Sequence, residues 1–386
     1  MNNTASLQTF RPNRPDAAGV LSWIHIGDLH MREAGRQNDL DLQAIIAEVN
    51  AAFRDSISFV FLPGDNADHG DLPAYSVVRQ SLDRLQAPWC AILGDHDVEQ
   101  KSFGNFQASL ADQTFYAFTV GNVRFLALNA FDRPDPKSFA LLPQQLQWAE
   151  AQLKDATAKH QEKVLLLHCY PSDLKEGAAE LARLISKYQV KLVDMGHTHY
   201  NEMSHDGQTI YTATRSTGQV EEGPVGFSIT NLDHGVVSWR FLDLGSLPAV
   251  VITSPADERL VADNAELESA DRQRVHVRAK IWSRAPIVSV KATLGGQDAS
   301  MQAVENSRVW EAILTLREIP DGAHPLQVVA KDAEGKTAQD EIHMLVGTKR
   351  LSRKRAERDQ DNALEAWPEH GLLATQLGPN KNGRKW

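Results

Sequence analysis

With 386 residues, of which 42% are hydrophobic and 23% charged, the chain has the composition of a soluble globular protein with room for two domains. A formal net charge of −10 disfavours a general nucleic-acid binder, though not a nuclease whose metal ions hold the phosphate, and no apolar run of about 18 residues offers a membrane span. The two cysteines, Cys90 and Cys169, lack chelating spacing and read as buried free thiols of a reducing compartment, so a cytoplasmic location is expected.

Residues 1–19 are polar, without an apolar h-region, and read as a flexible lead rather than a secretory signal. The first strand is expected over 21–26, with His25 as a packing histidine, followed by a polar loop at 31–38. In the next helix Leu42, Ile45, Ile46, Val49 and Phe53 recur at helical spacing, with Asp39 or Asp41 as its cap. A strand over 57–62, a helix over 71–86 with Pro73 near its first turn, and a strand over 89–93 continue a β-α-β-α-β succession. Segments 115–120 and 123–128 flank Gly121-Asn122 and predict a hairpin in a second sheet. A proline-rich loop over 129–139 precedes a helix from Pro143 to 158, a buried strand over 164–167, a helix over 178–188 and a strand over 190–193. Strands at 209–213, 226–231 and 236–241 finish that sheet. Segments 31–38, 98–113, 129–143 and 201–208 carry no recognisable code and are where specificity is expected.

Five strands end on polar clusters: Asp28-Leu29-His30, Gly64-Asp65-Asn66-Ala67-Asp68, Gly94-Asp95-His96-Asp97, His168, and Gly196-His197-Thr198-His199. Strand ends that bring carboxylates and imidazoles to one sheet edge are where α/β proteins build active sites. Asp28, His30, Asp65, Asp95, His168, His197 and His199 are too many ligands for one tetrahedral ion. They suit two divalent ions about 3.5 Å apart, drawn from Mn, Fe, Zn or Ni. In a regular strand His197 and His199 would face opposite ways. Both reach metal only if the segment turns, and Gly196 is expected to supply that freedom.

In this order the clusters resemble the pattern D-x-H, G-D-x-x-D, G-N-H-[D/E], H and G-H-x-H of the calcineurin-like metallophosphoesterases, over residues 20–242. The resemblance implies an α/β fold, a two-sheet α/β/β/α sandwich, and metal-dependent hydrolysis of a phosphoester; a small-molecule phosphoester is the expected substrate. It implies that Asp28, His30 and His199 hold the first ion and Asp95, His168 and His197 the second, with Asp65 bridging. A hydroxide between the ions would attack phosphorus, His96 would protonate the leaving oxygen, and Asp68 would orient His96.

Position 95 departs from the family pattern, with Asp in place of Asn. Two divalent ions, three carboxylates and a hydroxide then sum to zero rather than +1, which penalises a dianionic monoester more than a monoanionic diester. A phosphodiesterase is the reading this favours. A catalytically damped metal-binding scaffold, a nuclease and a phosphomonoesterase are the alternatives. Arg215 is a candidate cation for substrate phosphate, and Tyr170 a candidate for the pocket wall.

Residues 244–248 mark the expected end of a catalytic domain over 20–245. Beyond it six or seven short strands, separated by Gly295-Gly296, Pro320-Asp321-Gly322 and Glu334-Gly335, predict an immunoglobulin- or fibronectin-like sandwich over 249–346, with Trp282 and Trp310 as structural aromatics. The tail, 347–386, holds nine basic and five acidic residues, including a basic block at 349–358. Its tryptophans and leucines predict that it lies extended across the catalytic domain or a neighbouring subunit. The sandwich or the tail could mediate a homo-oligomer.

Overall fold

Short apolar runs closed by Gly, Pro or Asp become strands, and the segments of helical period between them become the covering helices. The computed structural model describes residues 10–131, 133–261, 274–315, 319–346 and 363–373. In chain order the first part contains β1 (Leu21–His25), α1 (Gln37–Ala52), β2 (Phe59–Leu62), α2 (Leu72–Leu82), β3 (Trp89–Ala91), α3 (Gly104–Ser109), β4 (Tyr116–Val120) and β5 (Val123–Ala127). It continues with α4 (Pro143–Ala158), β6 (Glu162–Leu167), α5 (Ala178–Lys187), β7 (Leu192–Met195), β8 (Glu202–His205), β9 (Ile210–Ala213), β10 (Gly226–Asp233) and β11 (Val236–Asp243).

These strands form two mixed sheets, ordered β11-β10-β1-β2-β3 and β4-β5-β6-β7-β9-β8. Side-chain alternation along β1 explains how they stack. Leu21 and Trp23 face the second sheet's Phe125 and Val164, whereas Ile24 and Ile26 pack with Leu42, Ile45 and Val49 of α1. Trp23 stacks on Phe59 at 6.0 Å and meets Phe125 edge-on at 5.4 Å. Between the sheets, Asp194 of β7 accepts from Trp23 Nε1 at 2.8 Å and contacts His25 Nδ1 at 2.7 Å. His25 is thus a buried link between the two sheets, in keeping with a packing role.

An all-β sandwich follows, built from β12 (Ala249–Ser254), β13 (Arg274–Trp282), β14 (Ile287–Leu294), β15 (Gln297–Ser300), β16 (Gln302–Ala303), β17 (Val309–Thr315), β18 (Gly322–Asp332) and β19 (Thr337–Val346). Its antiparallel sheets run β12-β13-β17-β16 and β15-β14-β18-β19. It is keyed into the first part by buried polar groups. Lys280 Nζ lies 2.7 Å from Asp16, 2.9 Å from Ser22 Oγ and 2.7 Å from the Ser56 carbonyl. Trp282 donates to Ser56 Oγ at 2.9 Å and stacks on Phe53 at 5.4 Å.

Several expectations shift. Helix α1 starts at Gln37, so Asp39 lies in its first turn and accepts from the Gly35 N–H at 2.7 Å rather than acting as N-cap. Asp71 caps α2 through Ala74 N at 2.9 Å, with Pro73 inside the first turn. Helix α3 and strand β8 form in stretches, 98–113 and 201–208, for which the sequence predicts no element. β8 is buried throughout, and residues 363–373 cover it, with a bridge between Ser204 and Ala363. Residues 1–9, Asp132, the basic block at 349–358 and the last tryptophan lie outside the described residues. Among the described residues no helix is long and apolar enough to cross a membrane.

Candidate metal centre

The loops after β1, β2, β3, β6 and β7 converge at one edge, as the strand-end clusters predict. Asp28, His30, Asp65 and His199 offer ligand atoms within 4.8 Å of one another, and so do Asp65, Asp95, His168 and His197. Asp65 belongs to both groups. The pair of overlapping groups is a site for two divalent ions.

Four of these ligands adopt left-handed backbone conformations: His30 (φ 43°), Asp65 (50°), His197 (69°) and His199 (64°). Such conformations cost about 1–3 kcal/mol each in non-glycine residues and persist where the surroundings hold them. The turn expected at His197 and His199 is present, but Gly196 does not supply it through a positive φ. The histidines take that conformation themselves. Glycine is required at 196 by proximity, since a Cβ there would sit 2.4 Å from Asp28 Oδ1 and 2.9 Å from Pro63. Gly94 is equally confined, with Asp65 Oδ1 at 2.2 Å from its would-be Cβ.

Outer contacts prepare the ligands. His168 Nδ1 lies 2.8 Å from the Pro63 carbonyl and His30 Nδ1 lies 3.2 Å from Asp68 Oδ1, arrangements that place the proton on Nδ1 and leave Nε2 for a metal. The Nε2 atoms of His30 and His199 converge to 2.9 Å, while Asp28 Oδ1 is buried without a hydrogen-bond partner. Two imidazole nitrogens turned on each other beside an unpartnered carboxylate oxygen fit a divalent cation. Asp95 lies 3.0 Å from His168 Nε2 and 3.1 Å from His197 Nδ1.

Asp97 has a different task. Fully buried, it accepts from Gly94 N (3.0 Å), Asn66 N (3.2 Å), Asn66 Nδ2 (2.9 Å), Ala67 N (3.1 Å) and Tyr75 Oη (2.7 Å). It therefore staples the loop bearing Asp65 to the loop bearing Asp95. Burial raises its pKa despite those donors.

Around His96 the arrangement differs from the expectation. Its Nδ1 lies 2.7 Å from the Asp68 backbone carbonyl and 3.0 Å from Glu99 Oε1, whereas the Asp68 carboxylate is 3.9 Å away. That carboxylate instead takes Arg32 Nε at 2.6 Å and His30, contacts that hold it well below the usual carboxylate range despite burial. Asp68 thus meets His96 through its main chain, and Glu99 is the nearer carboxylate. Burial pulls the His96 pKa down, but Asp65, Asp95, the Asp68 carbonyl and Glu99 raise it overall. Arg32 and Glu99 were not singled out by the sequence. For Arg32 the signal is a loop arginine two residues past Asp-x-His; for Glu99 it is a carboxylate three residues past His96.

The two substrate candidates are placed elsewhere. Arg215 is buried, pairs with Asp243 at 2.7 Å, donates to the Pro224 carbonyl and lies over the Phe241 ring at 3.8 Å, so its charge is spent within the fold. Tyr170 is also buried, in the core cluster with Leu174, rather than displayed on a wall. Phe139 packs edge-on against His197 at 4.9 Å and is the aromatic residue in contact with a metal-facing histidine.

In the metal-free protein a proton takes the place of positive charge. Burial alone would lower His168, but Asp65, Asp95 and Asp28 raise it to about 10. Burial, with Asp95 beside it, raises Asp65 to about 6. His199 is lowered by burial to about 3 against the pull of Asp28. Since the folded value of His168 lies above the ordinary 6.5, its stabilising proton is fully present below about pH 6.5 and lost as pH climbs toward about 10. Metal must displace that proton, so loading with Mn2+ at neutral pH releases protons, and the Mn2+-induced rise in Tm grows from about pH 6.5 to about pH 9. Unbuffered titration and thermal scans check this; a Tm shift independent of pH would contradict it.

A family description, calcineurin-like phosphoesterase, matches residues 22–201. Residues 22–201 are thus similar to the calcineurin-like phosphoesterases. Its sequence is 22% identical over 377 residues to mouse transmembrane protein 62, an alignment covering 85% of this chain and 57% of that protein. It is 23% identical over 164 residues to a probable cyclic nucleotide phosphodiesterase of Xenorhabdus bovienii, covering 39% of this chain and 64% of that protein. The chain thus spans less than two thirds of either relative. Among solved structures, a dimetal phosphatase of Danio rerio aligns with a TM-score of 0.47 at 14% identity, covering 72% of this chain and 98% of that one. Purple acid phosphatase PPD1 of yellow lupin aligns at 0.49 and 14%, covering 61% and 53%.

Proposed function

We propose that the protein is a dinuclear metal-dependent phosphoesterase acting on a phosphodiester. The observation that carries this reading is the pair of four-residue ligand groups sharing Asp65, with His96 beside them. Asp28, His30 and His199 would hold one ion, Asp95, His168 and His197 the other, and Asp65 would serve both. Two bound ions would supply charge neutralisation for phosphate oxygens and a water acidified for attack. His96, with Nδ1 held by the Asp68 carbonyl and Glu99, keeps Nε2 for the leaving oxygen and donates its proton there.

The diester preference rests on Asp95, whose carboxylate lowers the charge of the loaded site. The cyclic nucleotide phosphodiesterase names of the Xenorhabdus relative and of a Synechococcus relative, 24% identical over 242 residues, support it. The test is turnover of bis-p-nitrophenyl phosphate beside p-nitrophenyl phosphate after reconstitution with Mn, Zn, Fe or Ni. The parent is expected to favour the diester, and Asp95→Asn to gain roughly tenfold on the monoester, equivalent to about 1.4 kcal/mol. A parent that prefers the monoester would remove the charge argument. Activity in Asp95→Asn alone would favour a damped, binding role. The two cysteines, free and buried, support a reducing, cytoplasmic setting. The strand count and antiparallel pairing of the C-terminal sandwich support an immunoglobulin or fibronectin type.

A further inference from the structure

Asn201 stands two residues beyond His199, fully buried, and its polar groups are engaged on three sides. Its backbone N–H donates to Glu222 Oε1 at 2.9 Å, and its Oδ1 accepts from Arg215 N at 2.9 Å. Its Nδ2 donates to the carbonyl of Gly371 at 3.0 Å. The first two contacts are local. The third comes from the far end of the chain.

Residues 363–373 are anchored along their length. The Leu364 N–H donates to the Met203 carbonyl at 2.9 Å, pairing the segment with the edge strand β8. Trp367 stacks on His370 at 3.6 Å and lies beneath the Arg259 guanidinium at 4.3 Å. His370 reaches the Trp239 carbonyl of β11 at 2.9 Å and Asp340 of β19 at 2.7 Å. Leu372 is fully buried. Gly371 holds φ 86°, and a Cβ there would sit 2.6 Å from the Cβ of Phe241.

The element that Asn201 terminates needs such support. His197 and His199 are both left-handed, and the His199 carbonyl is otherwise tied down by a 3.4 Å bond from Ser216 N. The shorter bonds, His197 N–H to Asp28 Oδ2 and Thr198 N–H to the Gly196 carbonyl, each 2.8 Å, hold the entry side of the turn, so its strained exit at His199 is left to its neighbours.

We propose that residues 363–373 are a positioning strap for the metal centre. Through the Gly371 carbonyl the strap holds Asn201, and through Asn201 it holds the turn that carries His199. Asn201 is a positioning residue, and the affinity of the Asp28, His30, Asp65 and His199 group for its ion depends on a seated strap. His370 joins the strap to Asp340, so the sandwich is mechanically coupled to the metal centre. The proposal rests on the two-ion reading of the site.

The test is a Mn2+ titration of the full chain by calorimetry, with free Mn2+ followed by EPR. Asn201→Asp keeps the acceptor for Arg215 N and loses the donor to Gly371. Gly371→Val drives a side chain against Phe241, and His370→Ala loosens the strap from the sandwich without touching Asn201. The parent should bind two ions. Each variant should weaken one of them about tenfold or more, as loss of an outer-shell support does, and leave the other unchanged. Asn201→Asp combined with Gly371→Val should be no weaker than either alone, because both remove one bond. Unchanged affinities in folded variants, equal weakening of both ions, or additive losses would overturn the strap. If Gly371→Val does not fold, Asn201→Asp and His370→Ala decide. Fewer than two Mn2+ per chain in the parent would overturn the two-ion reading and the strap with it.

Discussion

His96→Ala should lower kcat on an alkyl phosphodiester by about 10²- to 10⁴-fold, the usual contribution of a positioned general acid, with metal content unchanged. Without metal, burial lowers the His96 pKa but Asp65, Asp95, the Asp68 carbonyl and Glu99 raise it overall; with Asp65 and Asp95 engaged by ions, the Asp68 carbonyl and Glu99 remain to hold its proton. In the parent, activity should therefore fall on the alkaline side as that proton is lost, and the variant should lose this limb of the profile. A p-nitrophenolate leaving group needs little protonation and should suffer less. Equal turnover by parent and variant on the alkyl ester, at full metal occupancy, would remove the assigned role.

Asp97→Ala should cost on the order of 3–5 kcal/mol of stability, because it strips a buried acceptor from several buried donors at once. Gly94 N, Asn66 N, Asn66 Nδ2, Ala67 N and Tyr75 Oη would lose their common partner. Asp97→Asn keeps one acceptor oxygen but turns an amide NH2 toward donors, so it should recover only part of the loss. Denaturant unfolding of the metal-free proteins measures the effect without the contribution of bound ions. A loss below about 1 kcal/mol would mean that water replaces the carboxylate and that the two loops need no staple.

The ligand-bearing strand ends were legible because two signals coincide at each: an apolar run of strand length and a polar cluster where it stops. The same logic saw that His197 and His199 require a turn. It could not tell which residue bends, since proximity of Gly196 to Asp28 and Pro63 is a tertiary fact. Asp97 looked like an ordinary acidic neighbour of His96, because four of its five donors belong to a loop some thirty positions earlier or to α2. Arg215 was read from its place past a strand, which says nothing about side-chain direction; it turns under Phe241 and toward Asp243. Strand β8 was missed for a similar reason. Glu202-Met203-Ser204-His205 has no β-branched residue, and its strand character comes from pairing with β9 and cover from residues 363–373.

The Lys280 contacts have a consequence for the cooperativity of the whole chain. A chain ending at residue 245 would leave Asp16 buried beside no cation, the Ser56 carbonyl without Lys280, Ser56 Oγ without Trp282 and the face of Phe53 without its stacking partner. Removing one partner of a buried ion pair strands the other charge, a heavier loss than forgoing the pair altogether. The phosphoesterase core and the sandwich therefore share one interior, and they should unfold in denaturant as a single unit rather than as two beads on a string.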